Sequence, residues 1–94
     1  MNKIDIHSIL ITTLKSYGAK KISVFGSFSR GENKPGSDLD ILVEFSKKKS
    51  LLEIVRIERM LSEKLGIKVD LLTEKFISPY LIDRIKSEME QIYG

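Results

Sequence analysis

Asp38 and Asp40 are two residues apart, and the run that follows them, Leu39-Asp40-Ile41-Leu42-Val43-Glu44-Phe45, alternates strongly enough to predict a strand. On a strand that spacing sends both carboxylates to one face, where they can share a metal ion. Leu39, Ile41, Val43 and Phe45 take the other face and suit a half-buried sheet. Upstream, Gly26 and Ser27 directly follow the apolar run Ile22-Ser23-Val24-Phe25, where a strand must stop and the chain must turn. Glycine lets a ligand approach the backbone closely. If a short helix opens at Ser27, its unpaired N–H groups and the serine hydroxyl form a cradle for phosphate oxygens. Arg30, about one helical turn later, can add positive charge or pair with Glu32. Pro35-Gly36 supplies a turn that leads back to Asp38.

A third carboxylate can be sought by parity. In Ile67-Lys68-Val69-Asp70-Leu71 the apolar residues share one face and leave Asp70 on the other. Glu44 has the right parity on its own strand but lies roughly 20 Å from Asp38 at the rise of a strand. Asp70 is therefore the third candidate.

Taken together, G-S-x-x-R-G, six residues, and then D-x-D before apolar residues resembles the signature of the DNA polymerase beta-like nucleotidyltransferase superfamily, and the short length resembles its minimal nucleotidyltransferase (MNT) family. Gly26, Ser27, Arg30, Gly31, Ser37, Asp38 and Asp40 fall in register with that pattern. It is not a Walker A loop, since no Gly-Lys-Ser/Thr follows the glycines. The resemblance implies that Asp38, Asp40 and Asp70 are the catalytic and metal-binding carboxylates, and that Gly26, Ser27, Arg30 and Ser37 bind nucleotide. It implies two Mg²⁺ ions, with Mn²⁺ as a substitute, and ATP as the substrate. It further implies an antitoxin that transfers an adenylyl group to a tyrosine of a HEPN-type ribonuclease toxin. Two alternatives stand beside this: a module that neutralises a toxin by binding alone, and a small-molecule nucleotidyltransferase of the antibiotic-modifying kind, completed by dimerisation.

The elements that must position these residues are short. Ile6, Ile9, Leu10, Leu14 and Tyr17 recur at helical spacing, with Gly18 placed to end the helix. His7 lies within it, far in sequence from the motif, and is left out of the site. A first strand is expected from about Lys21 to Phe25, a short helical turn over Ser27 to Gly31, and a second strand over Leu39 to Phe45. Leu51, Ile54, Val55, Glu58, Leu61 and Leu65 predict a helix, with Ser50 as N-cap and Gly66 beyond its end. That helix makes a full crossover, so the second and third strands are expected to be parallel. This places Asp70 near the aspartate pair if the strands are neighbours. Ser78-Pro79 opens a last helix whose apolar stripe is Leu81, Ile82, Ile85, Met89, Ile92 and Tyr93. The expected fold class is α/β (α+β): a small mixed three-stranded sheet, order 1-2-3, with helices packed mainly on one face.

With 94 residues the chain is expected to be one domain, residues 1–94, with a single modest core. No cysteine is present, which removes disulfides, zinc-thiolate sites and thiol nucleophiles. Any metal must use oxygen ligands or His7, and oxygen ligands favour magnesium or manganese. The apolar runs are too short to span a bilayer and no signal peptide is read, so a cytoplasmic protein is expected. The formal charge of +3 is compatible with attraction to triphosphate or RNA, but scattered solubilising lysines account for it better. Direct nucleic-acid binding is not expected, while a homo-oligomer stays open. Ser46-Lys47-Lys48-Lys49-Ser50 is read as a solvated turn, with contact to a nucleic acid or an acidic partner as the functional alternative.

Overall fold

The computed structural model describes all residues except Met1, Asn33 and Pro35. Helix α1 (Lys3–Ser16) starts where the Asn2 side chain accepts the Asp5 N–H at 2.9 Å, satisfying a donor the helix leaves open. It buries Ile6, Leu10, Thr13 and Leu14 along one stripe. Strand β1 (Ala19–Phe25) leads into a single 3₁₀ turn, Gly26–Phe28, and the polar loop then returns to β2 (Leu39–Phe45). The expected helical turn is thus one residue earlier and shorter than Ser27 to Gly31. The predicted Pro35-Gly36 turn lies partly outside the described residues, because Pro35 is not among them.

Helix α2 (Leu51–Leu65) carries a full capping box: the Ser50 hydroxyl accepts the Glu53 N–H at 3.2 Å, and the Glu53 carboxylate accepts the Ser50 N–H at 3.1 Å. At its other end Gly66 adopts a left-handed conformation, φ +67°, which stops the helix. Its buried stripe is Ile54, Ile57, Leu61 and Leu65. Leu51 and Val55, read as part of that stripe, are instead largely exposed. Strand β3 (Val69–Leu72), a second 3₁₀ turn (Glu74–Phe76), α3 (Pro79–Glu88) and β4 (Glu90–Tyr93) complete the chain.

The sheet has four strands in the order β3-β2-β1-β4. β2 and β3 are parallel, as the helical crossover requires, and β1 is antiparallel to both β2 and β4. The expected 1-2-3 order survives inside this sheet, but the strand count does not. Met89, Ile92 and Tyr93 have helical spacing, yet α3 stops at Glu88 and the last residues pair with β1, Glu90 opposite Val24 and Gln91 opposite Ser23. The reason is the open edge of β1, whose unpaired backbone groups these residues satisfy while Ile92 and Tyr93 pack against the core.

Helices α1 and α2 cover one face of the sheet. Between them and the strands lie Leu10, Leu14, Ile22, Ile41 and Leu61, all removed from solvent. The opposite face carries Ser23 and Phe25 of β1, Asp40 and Leu42 of β2, and Asp70 and Leu72 of β3. Pairing of Phe25 with Asp40, Asp40 with Asp70, and Leu42 with Leu72 sets them side by side. Lys86 of α3 and its C-cap Met89 border this second face beside Ser23 and Leu42, but α3 buries none of its residues. Among the described residues no helix is long and apolar enough to cross a membrane.

Candidate active site

The site forms at the C-terminal end of β1 and the N-terminal ends of β2 and β3, where three backbone devices converge. First, the parallel register makes Asp40 and Asp70 direct neighbours. Second, antiparallel pairing brings Phe25 opposite Asp40, so the turn at Gly26 begins against the Asp40 carboxylate. Third, Gly26 sits at φ +73°, and a Cβ built there would run into Asp40 Oδ2 and meet its Cγ at 3.3 Å. Only glycine fits both the backbone conformation and that space.

Asp40 is half-buried, and its pKa is raised to about 6. Burial is the largest cause, followed by the charge of Asp70, a hydrogen bond with the Asp70 carboxyl, and the charge of Asp38; Arg30 pulls the other way. Two carboxyls in hydrogen-bond contact cannot both ionise freely without a cation between or beside them. Asp38 precedes β2 rather than opening it, and its carboxylate lies 3.8 Å from Lys68 Nζ. Among the described residues no three acidic or histidine side chains are already gathered tightly enough to hold a metal. Nevertheless the donors fit a divalent cation. They are all carboxylate oxygens, and the parallel register sets Asp40 and Asp70 side by side, as a shared oxygen-ligated cation requires.

The other predicted residues are placed as follows. Ser27 lies within the 3₁₀ turn, and its carbonyl accepts the Glu32 N–H at 2.9 Å. The Gly26 carbonyl accepts the Ser29 hydroxyl at 2.9 Å and the Arg30 N–H at 3.3 Å, so the loop is knitted to the glycine. Arg30 is held by two carboxylates: its Nε donates to Glu32 at 3.1 Å and its Nη1 to Glu88 at 3.2 Å. Ser37 is turned into its own loop, where its hydroxyl accepts the Lys34 N–H at 2.8 Å. His7 stays on α1 near Lys3 and Glu90, with its pKa lowered by burial, and takes no part.

Two side chains at the site escaped the sequence reading. Lys68 has the same strand parity as Asp70, so alternation already puts it on the polar face, and the Lys68–Asp38 pair follows from that. Glu88 has no comparable signal. It reaches Arg30 only because α3 ends where β4 joins β1, a fact of tertiary structure.

The profile described as "Nucleotidyltransferase domain" matches residues 7–92. "Putative protein adenylyltransferase MJ0435" of Methanocaldococcus jannaschii is 49% identical over 88 residues, covering 94% of this chain and 95% of that protein. Protein adenylyltransferase MntA of Thermococcus cleftensis is 37% identical over 89 residues, covering 90% of each. In solved structures, one chain in the complex of tri-AMPylated Shewanella oneidensis HEPN toxin with MNT antitoxin superposes with a TM-score of 0.79 at 22% identity, covering 95% of this chain and 70% of that one. At that identity the likeness speaks for the fold. The sequence match over nearly the whole length speaks for descent, and the chain belongs to the nucleotidyltransferase domain family.

Proposed function

We propose that this nucleotidyltransferase is a protein adenylyltransferase of the antitoxin kind, with ATP as donor and a tyrosine hydroxyl of a HEPN-type partner as acceptor. The observation that carries the reading is the contact of Gly26 with Asp40 and of Asp40 with Asp70: a tight glycine turn set against a carboxylate pair. The names of the relatives and the AMPylated toxin found with an MNT antitoxin point to the acceptor class.

In this reading Gly26 and Ser27 receive the triphosphate, with the glycine giving backbone access and the serine its hydroxyl. Asp38, Asp40 and Asp70 would hold Mg²⁺, or Mn²⁺ in its place. A bound divalent cation supplies charge neutralisation at the phosphates and makes the attacking hydroxyl more acidic. The tyrosine oxygen attacks the α-phosphorus in line with the bridging oxygen, the P–O bond to that oxygen breaks, and pyrophosphate departs with the electron pair. Asp70 is the carboxylate set to receive the hydroxyl proton. Arg30, drawn from Glu32 and Glu88 by the more highly charged triphosphate, offsets charge on the leaving pyrophosphate, and Ser37 fixes the loop that delivers Asp38. One domain spanning residues 1–94 would perform the whole reaction in the cytoplasm, where ATP is available.

Intact-mass spectrometry tests this. The protein is incubated with Mg²⁺, ATP and the protein encoded by the adjacent gene. Gain of adenylyl mass on that neighbour, abolished by Asp38→Asn with Asp40→Asn, is expected. A stable complex without any mass gain would assign neutralisation to binding alone, and no complex would return attention to small hydroxyl-bearing acceptors.

A further inference from the structure

The open face of the sheet continues past the carboxylates into a groove of about 310 Å³ between β2, α3 and the second 3₁₀ turn. Its apolar lining includes Leu42, Phe76 and Met89. Six lysines line it against two glutamates, Glu44 and Glu74. Lys86 is already paired with Glu74, and Lys49 lies near Glu53. Among the described residues, Lys21, Lys47, Lys48 and Lys75 have no carboxylate within salt-bridge distance. The basic run 47–49 therefore does not simply face bulk water; it borders an apolar hollow. Helix α3 leaves that hollow open, since it buries no residue of its own and exposes Tyr80 and Leu81 at its start.

We infer that this groove is the docking subsite for an acidic, apolar segment of the acceptor protein, an inference that rests on the proposed protein adenylyl transfer. Charge decides the sign of the ligand, because uncompensated lysines surround the opening. The lining decides its kind. Both phenylalanine rings carry their own lysine, Lys49 over Phe45 and Lys75 over Phe76 at 5.7 Å each, so these faces are not free to stack bases. The groove also has no arginine to grip phosphates in a bidentate fork. A concave pocket of this size takes a side chain or two rather than a stacked strand. Position ties it to the chemistry: Leu42 follows Asp40 by two residues on the same face, roughly 7 Å along β2. An extended segment lying there would deliver a hydroxyl a few residues away to the carboxylates.

The test uses a fluorescein-labelled peptide of alternating glutamate and leucine, its lysine-leucine counterpart, and oligouridylate of equal length. Fluorescence anisotropy is measured with the wild-type protein and with Lys47→Glu/Lys48→Glu/Lys75→Glu, three exposed positions whose change leaves the core intact. Saturable binding of the acidic peptide alone is expected, weakened about tenfold or more in the triple variant. With the adjacent-gene protein as acceptor, the same variant should raise KM for the protein and leave kcat and the KM for ATP unchanged. Failure of the acidic peptide to bind, equal binding by the variant, or tighter binding of oligouridylate would overturn the inference. Peptide binding does not require transfer, so a groove that binds in a protein that transfers nothing would overturn the proposed activity alone. Transfer that ignores the triple variant would overturn the groove alone.

Discussion

Asp40 is where the demands of the site conflict with those of the fold. Its pKa stands at about 6 against an ordinary 3.8, so the folded chain binds this proton more tightly than the unfolded chain does. The sign follows: the metal-free protein is favoured by this group below about pH 4 and loses that contribution as pH rises through 6. Because Asp40 is only half-buried, solvent screening holds the effect to about 1–2 kcal/mol. Asp40→Asn should therefore abolish activity yet raise the Tm of the metal-free protein at pH 7 by about 5 °C in a thermal scan. If Asp40 ligates the metal as proposed, binding needs its ionised carboxylate, and Mn²⁺ affinity measured by titration calorimetry should weaken about tenfold for each pH unit below 6. Gly26→Ala attacks the same contact from the other side. The new methyl group meets the Asp40 carboxylate at a positive φ, and we expect roughly 1–3 kcal/mol of destabilisation in urea and at least about a hundredfold loss of activity.

Strand β3 shows how an edge with no neighbouring strand can be held in place by side chains. It pairs with β2 on one side and is an edge on the other. There the Leu71 N–H donates to Glu58 Oε2 at 2.8 Å and the Val69 N–H donates to Ser62 Oγ at 2.9 Å, both from α2. The helix thus closes the edge and fixes the two residues that flank Asp70. Glu58→Ala should cost about 1–3 kcal/mol in chemical denaturation, because it leaves a part-buried donor unpaired, and should weaken Mg²⁺ binding. Glu58→Gln keeps an acceptor and should recover most of both.

For the molecule as a whole, the last strand closes the opposite edge. β4 covers β1, and Lys15 Nζ lies 5.2 Å from the centre of the Tyr93 ring, tying the chain end to α1. Removing residues 90–94 should reopen the β1 edge, lower the Tm, and produce higher-order species in size-exclusion chromatography at raised concentration. Glu88, which precedes that strand, would lose its anchor beside Arg30.

Local order in this protein is legible from its residues alone: the alternation that makes β2, the Ser50–Glu53 capping box and Gly66 that bound α2, and the crossover that makes β2 and β3 parallel. Those follow from near-neighbour stereochemistry, and from them the adjacency of Asp40 and Asp70 could be anticipated. Tertiary structure alone decided three things. The final residues became a strand because an unpaired edge was waiting for them, although Met89, Ile92 and Tyr93 read as a helical stripe. Arg30 found Glu88 across 58 residues of sequence, alongside Glu32 two residues away. And the lysine run at 47–49 came to border an apolar groove only when α3 and the second 3₁₀ turn were brought over the sheet. In each case the deciding partner is distant in the chain, and the free energy of satisfying it is invisible to periodicity.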